Sequence, residues 1–76
     1  MKKLILIPVC ISFGLLQAQE AEQSVREGNV FYRQQQFEKA EGAYQKALNT
    51  DPANAKAKYN LANTQQKQGK QEEAIK

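Results

Sequence analysis

Shifted by 34 residues, this chain falls into register with itself, and that self-similarity limits its fold more than any other feature. Ala21, Asn29, Gln34, Glu38 and Ala40 recur as Ala55, Asn63, Gln68, Glu72 and Ala74. Gly28 and Ala62 are both small, Val30 and Thr64 both β-branched, Arg33 and Lys67 both basic. A period of roughly 20–50 residues marks a stacked-repeat protein, in which each unit buries its apolar face against its neighbours. The unit here is helical. From residue 21 onward Ala, Gln, Glu and Lys dominate, and no stretch alternates apolar and polar residues as a half-buried strand does.

The breaks between helices follow from local chemistry. The first helix begins at Ala21 or at a capping box, Ser24-x-x-Glu27. Gln34–Gln36 separates it from a second pattern, in which Phe37, Ala40, Tyr44, Ala47 and Leu48 form one apolar stripe. Pro52 ends that helix, because proline lacks an amide hydrogen and also bars Asp51 from helical geometry. Asn54 is placed to cap a third helix from Ala55 to about Gln68. Gly69 is expected to supply the next turn, with a fourth helix from Gln71. Such short connections imply antiparallel neighbours. Gly28 costs its helix about 0.5–1 kcal/mol relative to alanine, so it needs a compensating role. Close approach of the second helix supplies one, with Phe31 and Tyr44 filling the groove between them.

The first 18 residues have a different composition. Two lysines, Lys2 and Lys3, precede an apolar run from Leu4 to Leu16 and a polar exit at Gln17–Glu20. That is the layout of an export signal, with the cut expected after Ala18. A spanning helix needs roughly 20 apolar residues, more than this run offers, so an uncleaved inner-membrane anchor is the alternative. The single cysteine, Cys10, lies inside the run, and Val9 stands before it where lipidation favours a small residue. The net charge of +3 also belongs mostly to this leader: without Lys2 and Lys3, 9 of the 11 basic residues face 8 acidic ones. Basicity is therefore no argument for nucleic acid, and the expected location is periplasmic.

The chain resembles the tetratricopeptide-repeat (TPR) family. Gly28, Phe31, Phe37, Ala40, Tyr44, Ala47 and Pro52 match its pattern in a first repeat, 21–54; Leu61, Ala62, Gly69 and Ala74 match it in a second, 55–76. Departures stand at Glu27, Gln35, Glu41 and Gln65, where apolar residues, a turn glycine and an aromatic are usual. The resemblance implies an all-α solenoid of helix-turn-helix units, about 1.6 repeats here. About three repeats are needed for independent stability, so the expectation is an N-terminal piece of a longer protein. Gly28-Asn29, Ala40-Glu41-x-x-Tyr44 and Tyr59-Asn60-Leu61-Ala62-Asn63, behind an export signal, are also similar to the Bat-type aerotolerance TPR proteins of bacteria. That likeness implies a partner in the periplasm or at the membrane.

In this family the first helix of each repeat lines a concave face. The resemblance puts Glu22, Val25, Arg26, Asn29 and Arg33 there in repeat one, and Lys56, Tyr59, Asn60, Asn63 and Lys67 in repeat two. Of these, Arg26, Asn29, Arg33, Lys56, Tyr59, Asn60, Asn63 and Lys67 are the candidate binding residues. Asparagine amides both donate to and accept from an extended peptide, and the cations pair with acidic side chains or a terminal carboxylate. Asn29 and Asn60 match peptide-contacting positions of carboxylate-clamp TPRs, while Val25 replaces a basic one. The expected partner is thus a protein or peptide, acidic or presenting its C-terminus. Membrane contact is expected only through an uncleaved leader or partner subunits.

Catalysis finds no foothold in the residues. The chain has no histidine, and its one cysteine falls in the leader, so His or Cys metal sites and thiol chemistry are not expected, nor is any cofactor. The repeats are read as a scaffold; the alternative is a positioning module for a C-terminal effector or enzyme domain. Expression in a bacterium with an intact export pathway should yield a product whose intact mass begins at Gln19. A product retaining Met1 in the membrane fraction would identify the leader as an anchor.

Overall fold

The computed structural model describes the backbone of residues 2–75 and the side chains of residues 14–70. Cys10 and the apolar run up to Phe13, like Gln71, Glu72 and Ala74, fall outside the described side chains. Three helices follow one another: α1 (Lys2–Arg33), α2 (Phe37–Thr50) and α3 (Ala55–Ile75). Among the described residues there is no strand. Nor is any helix among them long and apolar enough to cross a membrane.

The α1–α2 pair turns as the sequence predicts, between Arg33 and Phe37. Gln35 adopts φ 62°, a left-handed conformation that costs a residue with a Cβ about 1–2 kcal/mol. Its amide donates to the Tyr32 carbonyl at 3.0 Å, and the Gln36 amide donates to that of Phe31 at 2.9 Å. These are the two bonds of a Schellman cap, which satisfies carbonyls that the helix end leaves free. Phe37 then folds beneath Tyr32 edge-to-face, with ring centroids 5.3 Å apart. Arg33, in the last turn of α1, places positive charge where the helix dipole favours it.

Pro52 and Asn54 end one helix and start the next as expected. Asp51 is extended (φ −139°, ψ 93°), and its carboxylate accepts from the Ala53 amide at 3.2 Å. The Asn54 side-chain oxygen then accepts from the Ala57 amide at 2.9 Å, which is an N-cap bond worth about 1 kcal/mol.

The core is narrow. Ala21, Val25, Ala40, Tyr44, Ala47 and Ala57 are buried together, and Phe31, Tyr32, Leu48 and Leu61 pack against them while staying half-buried. Phe31, placed in the groove by sequence, instead lies at its edge with the Lys39 ammonium 5.9 Å from its ring centroid. Gly28 has the expected role. A Cβ added there would lie 2.5 Å from Cε1 and 2.7 Å from Cδ1 of Tyr44, so only glycine lets that ring approach α1 so closely.

Three expectations are corrected. Neither helix start proposed for α1 is used: it runs unbroken from Lys2, and Ser24 is buried within it rather than capping it. Val25, assigned to the concave face, is buried in the core, because Ala21, Val25 and Gly28 make one helical stripe against α2. The turn at Gly69 and the fourth helix do not appear, since α3 continues to Ile75. A glycine permits a reversal but does not require one. In the first repeat Phe37 anchors the returning chain under Tyr32, whereas its counterpart 34 residues on is the polar Gln71.

Two alanine substitutions should move stability in opposite directions. Gly28→Ala gains about 0.5–1 kcal/mol of helix propensity but forces the Tyr44 ring to move, a clash costing about 1–3 kcal/mol; net destabilisation is expected. Gly42→Ala, with nothing within 4 Å of its added Cβ, keeps the propensity gain and should stabilise. Urea unfolding monitored by helical circular dichroism reads both, and a stabilising Gly28→Ala would refute the close-packing role.

Candidate functional site

The face formed by α1 and α3 carries an open cleft of about 200 Å³, lined by Asn29, Tyr32, Arg33, Tyr44, Asn60 and Asn63. Its floor is a hydrogen-bonded chain through three helices. The Tyr44 hydroxyl, rising from α2, donates to Asn29 Oδ1 at 2.6 Å. Asn60 Nδ2, from α3, donates to the same oxygen at 3.2 Å. Asn29 is thus fixed from two sides, and its own amide nitrogen is left as a donor. The repeat sets this geometry, because Asn29 and Asn63 occupy equivalent positions and Asn60 lies one turn before Asn63.

A second, smaller hollow of about 50 Å³ adjoins the first and shares Tyr32 and Asn63 with it. Gln66, Lys67 and Lys70 complete its lining. Of the eight candidates, Asn29, Arg33, Asn60 and Asn63 therefore come together in the cleft, and Lys67 in the adjoining hollow. The remaining three lie elsewhere. Lys56 pairs with Glu22 across the α1–α3 junction, Nζ to Oε2 3.6 Å, and Glu22 also accepts from Asn54 Nδ2 at 3.3 Å. Tyr59 is 70 % exposed and lines neither hollow; it occupies the position of Val25, so it points along α3's outer side. Arg26 is exposed and lines neither.

Tyr32 belongs to both hollows and was not among the candidates. The signal for it was present: Tyr32 follows Asn29 by three residues and so shares its face of α1. Tyr44 likewise reads from sequence as a core residue, yet its hydroxyl reaches the cleft floor. On the opposite side of the α2–α3 pair, two departures from the repeat pattern meet each other. Glu41 accepts from Gln65 Nε2 at 3.1 Å and from Gln68 Nε2 at 3.2 Å, a polar clasp where apolar packing is usual.

A family model described as TPR repeat matches residues 28–69, more than half of the chain. No curated protein and no solved structure matches it.

Burial pushes the Tyr44 hydroxyl above its usual value of 10.0; nearby Tyr32 adds to the rise and Arg33 opposes it. Because the folded-state value is raised, the fold favours the neutral phenol. The stabilisation is complete below the unfolded value of about 10 and is lost as pH climbs through the folded one. At neutral pH, Tyr44→Phe should cost about 0.5–1.5 kcal/mol for the lost hydrogen bond to Asn29. The stability difference between wild type and Tyr44→Phe should stay constant up to about pH 9 and shrink above pH 10. Chemical denaturation across that range tests this, and a difference unchanged at pH 11 would contradict it.

Proposed function

Since the chain belongs to the tetratricopeptide-repeat family, a family of protein-interaction repeats, we propose that it is an exported scaffold whose α1–α3 cleft holds an extended peptide or a segment of a partner subunit. The observation that carries the proposal is the line of three asparagines, Asn29, Asn60 and Asn63, presented from the first helices of two successive repeats beside Arg33 and Tyr32. An extended strand leaves backbone donors and acceptors unpaired, and side-chain amides satisfy either kind. Asparagine is a poor choice for a helix interior; Asn29 and Asn60 are held by each other and by Tyr44, and the Asn29 amide nitrogen and the Asn63 side chain remain to meet a ligand.

Basic groups gather where the cleft meets the smaller hollow: Arg33 lines the one, Lys67 and Lys70 the other. Lys56, outside both, is engaged by Glu22. An acidic side chain or a terminal carboxylate on the peptide complements that charge. Export to the periplasm rests on the leader, Lys2 to Ala18, and a membrane-associated assembly partner rests on the likeness to Bat-type repeats. Leu15 and Leu16 are more than half exposed on the arm of α1 that precedes Ala21, the first buried residue among those described, as suits a segment serving another purpose than the core.

The test is a titration of the full chain with a short acidic peptide ending in a free carboxylate and with its C-amidated form. Amide resonances of Asn29, Asn60, Asn63 and Arg33 should shift together for at least one of them. Negligible binding of both removes the peptide reading.

A further inference from the structure

The two repeats give one helix face opposite treatment. On α1, Ala21, Ser24, Val25 and Gly28 are all buried, because α2 packs its own stripe of Phe37, Ala40, Tyr44 and Ala47 over them. Their counterparts one repeat later, Ala55, Lys58, Tyr59 and Ala62, are all exposed, Tyr59 to 70 %. These four share one side of α3, while α2 meets the side that carries buried Ala57 and Thr64. A tyrosine ring between two alanines offers a neighbouring helix a knob and lets its backbone come close. We propose that this face of α3 docks an amphipathic helix of a partner protein, with an apolar stripe like that of α2 and an acidic residue opposite Lys58.

The acidic residue follows from the edges of the two faces. On α1 the edge beside Ser24 carries Glu20 and Glu27, and α2 sets Lys46 in the same hollow. The equivalent residues of α3 are Asn54, Lys58 and Leu61, so both acids are replaced and a cation is added. Residues 55–70 hold Lys56, Lys58, Lys67 and Lys70 and no acid. Among the described residues only Lys56 of these is in an ion pair. A helix lying here as α2 lies on α1 therefore complements the surface with a carboxylate where α2 has Lys46.

The same charges disfavour a second copy of this chain as the occupant. Two α3 faces brought together would set lysines against lysines. The α2 stripe of each copy is already buried against its own α1. The surface is also separate from the asparagine cleft, since Ala55, Lys58, Tyr59 and Ala62 line neither hollow there. The docking face and the peptide reading thus stand or fall independently.

The probe is a synthetic peptide with the sequence of residues 37–50, carrying Gly42→Ala to raise its helicity. It is made with Lys46 retained and with Lys46→Glu. Added to the full chain, the Lys46→Glu peptide should bind about three- to five-fold tighter, the scale of a partly exposed ion pair. Amide resonances of Tyr59 and Ala62 should shift on binding. In the Lys58→Glu chain the preference should reverse, and in Tyr59→Ala both peptides should bind about ten-fold more weakly. Both positions are exposed, and circular dichroism checks that helicity is kept. Binding of neither peptide, or a preference that Lys58→Glu leaves unchanged, overturns the proposal. Shifts at Ala21, Val25 and Gly28 instead would mean that the peptide displaces α2 from α1, and also overturn it. Dimerisation of the chain alone, abolished by Tyr59→Ala, would give the face to a second copy. Nuclear Overhauser contacts from Tyr59 to residues 71–76 of its own chain would give it to that segment, and either result excludes the partner helix.

Discussion

The contact between Gly28 and Tyr44 sets the distance between α1 and α2, and the rest of the structure depends on that distance. With no Cβ at Gly28, the Tyr44 ring lies against the α1 backbone and is almost completely buried. Ala21, Ala40 and Ala47 are buried in the same seam, and none of them has a side chain long enough to bridge a wider gap. The ring also carries its hydroxyl through the seam to the far side, where it fixes Asn29. One aromatic residue thereby joins the packing of the helical pair to the polar floor of the cleft. Deep burial of a phenol that had no partner would be costly, and Asn29 supplies the partner.

Around this seam the fold relies on polar bridges more than a domain with a broad core does. Asn54 and Lys56 meet at Glu22 where α3 begins, and Glu41 holds Gln65 and Gln68 further along. These are amide-to-carboxylate hydrogen bonds and one ion pair at exposed or half-buried positions, where solvent screening holds such contacts to about 1 kcal/mol each, so these bridges fix register more than they add stability. They explain how the second repeat tolerates glutamine where the family prefers an aromatic. The position is not filled by a weaker version of the same packing, but by a different contact whose other half, Glu41, departs from the pattern as well.

Several features were legible in the sequence because single residues determine them. Pro52 forbids helix, Asn54 offers a cap, and a glycine within a helix implies close approach. The 34-residue register identified the repeat, and it placed Asn29, Asn60 and Asn63 on one side. What remained hidden depends on pairs of residues. The Gly69 turn was expected from glycine alone, although the reversal at Gln35 shows that an anchor such as Phe37 matters more than the freedom of the turn residue. Val25 and Tyr59 share a register position yet have opposite fates, since α2 covers that side of α1 while the described residues place no helix over the same side of α3. Tyr32 stays open in the sequence, as a residue that serves either a ligand or the next repeat, because the cleft it lines is made with residues of α3.

The unbroken course of α1 couples two parts of the chain that composition alone would separate. Leu15, Glu22 and Asn29 follow at intervals of seven residues. A straight helix drifts only about 20° over each such interval. The arm and the cleft are consequently in phase, and Leu15 shares a compass bearing with Asn29 to within about 40°. While that helix stays whole, any surface that grips Leu15 also decides which way the asparagine floor faces. Severing or unwinding the arm leaves the cleft free to turn.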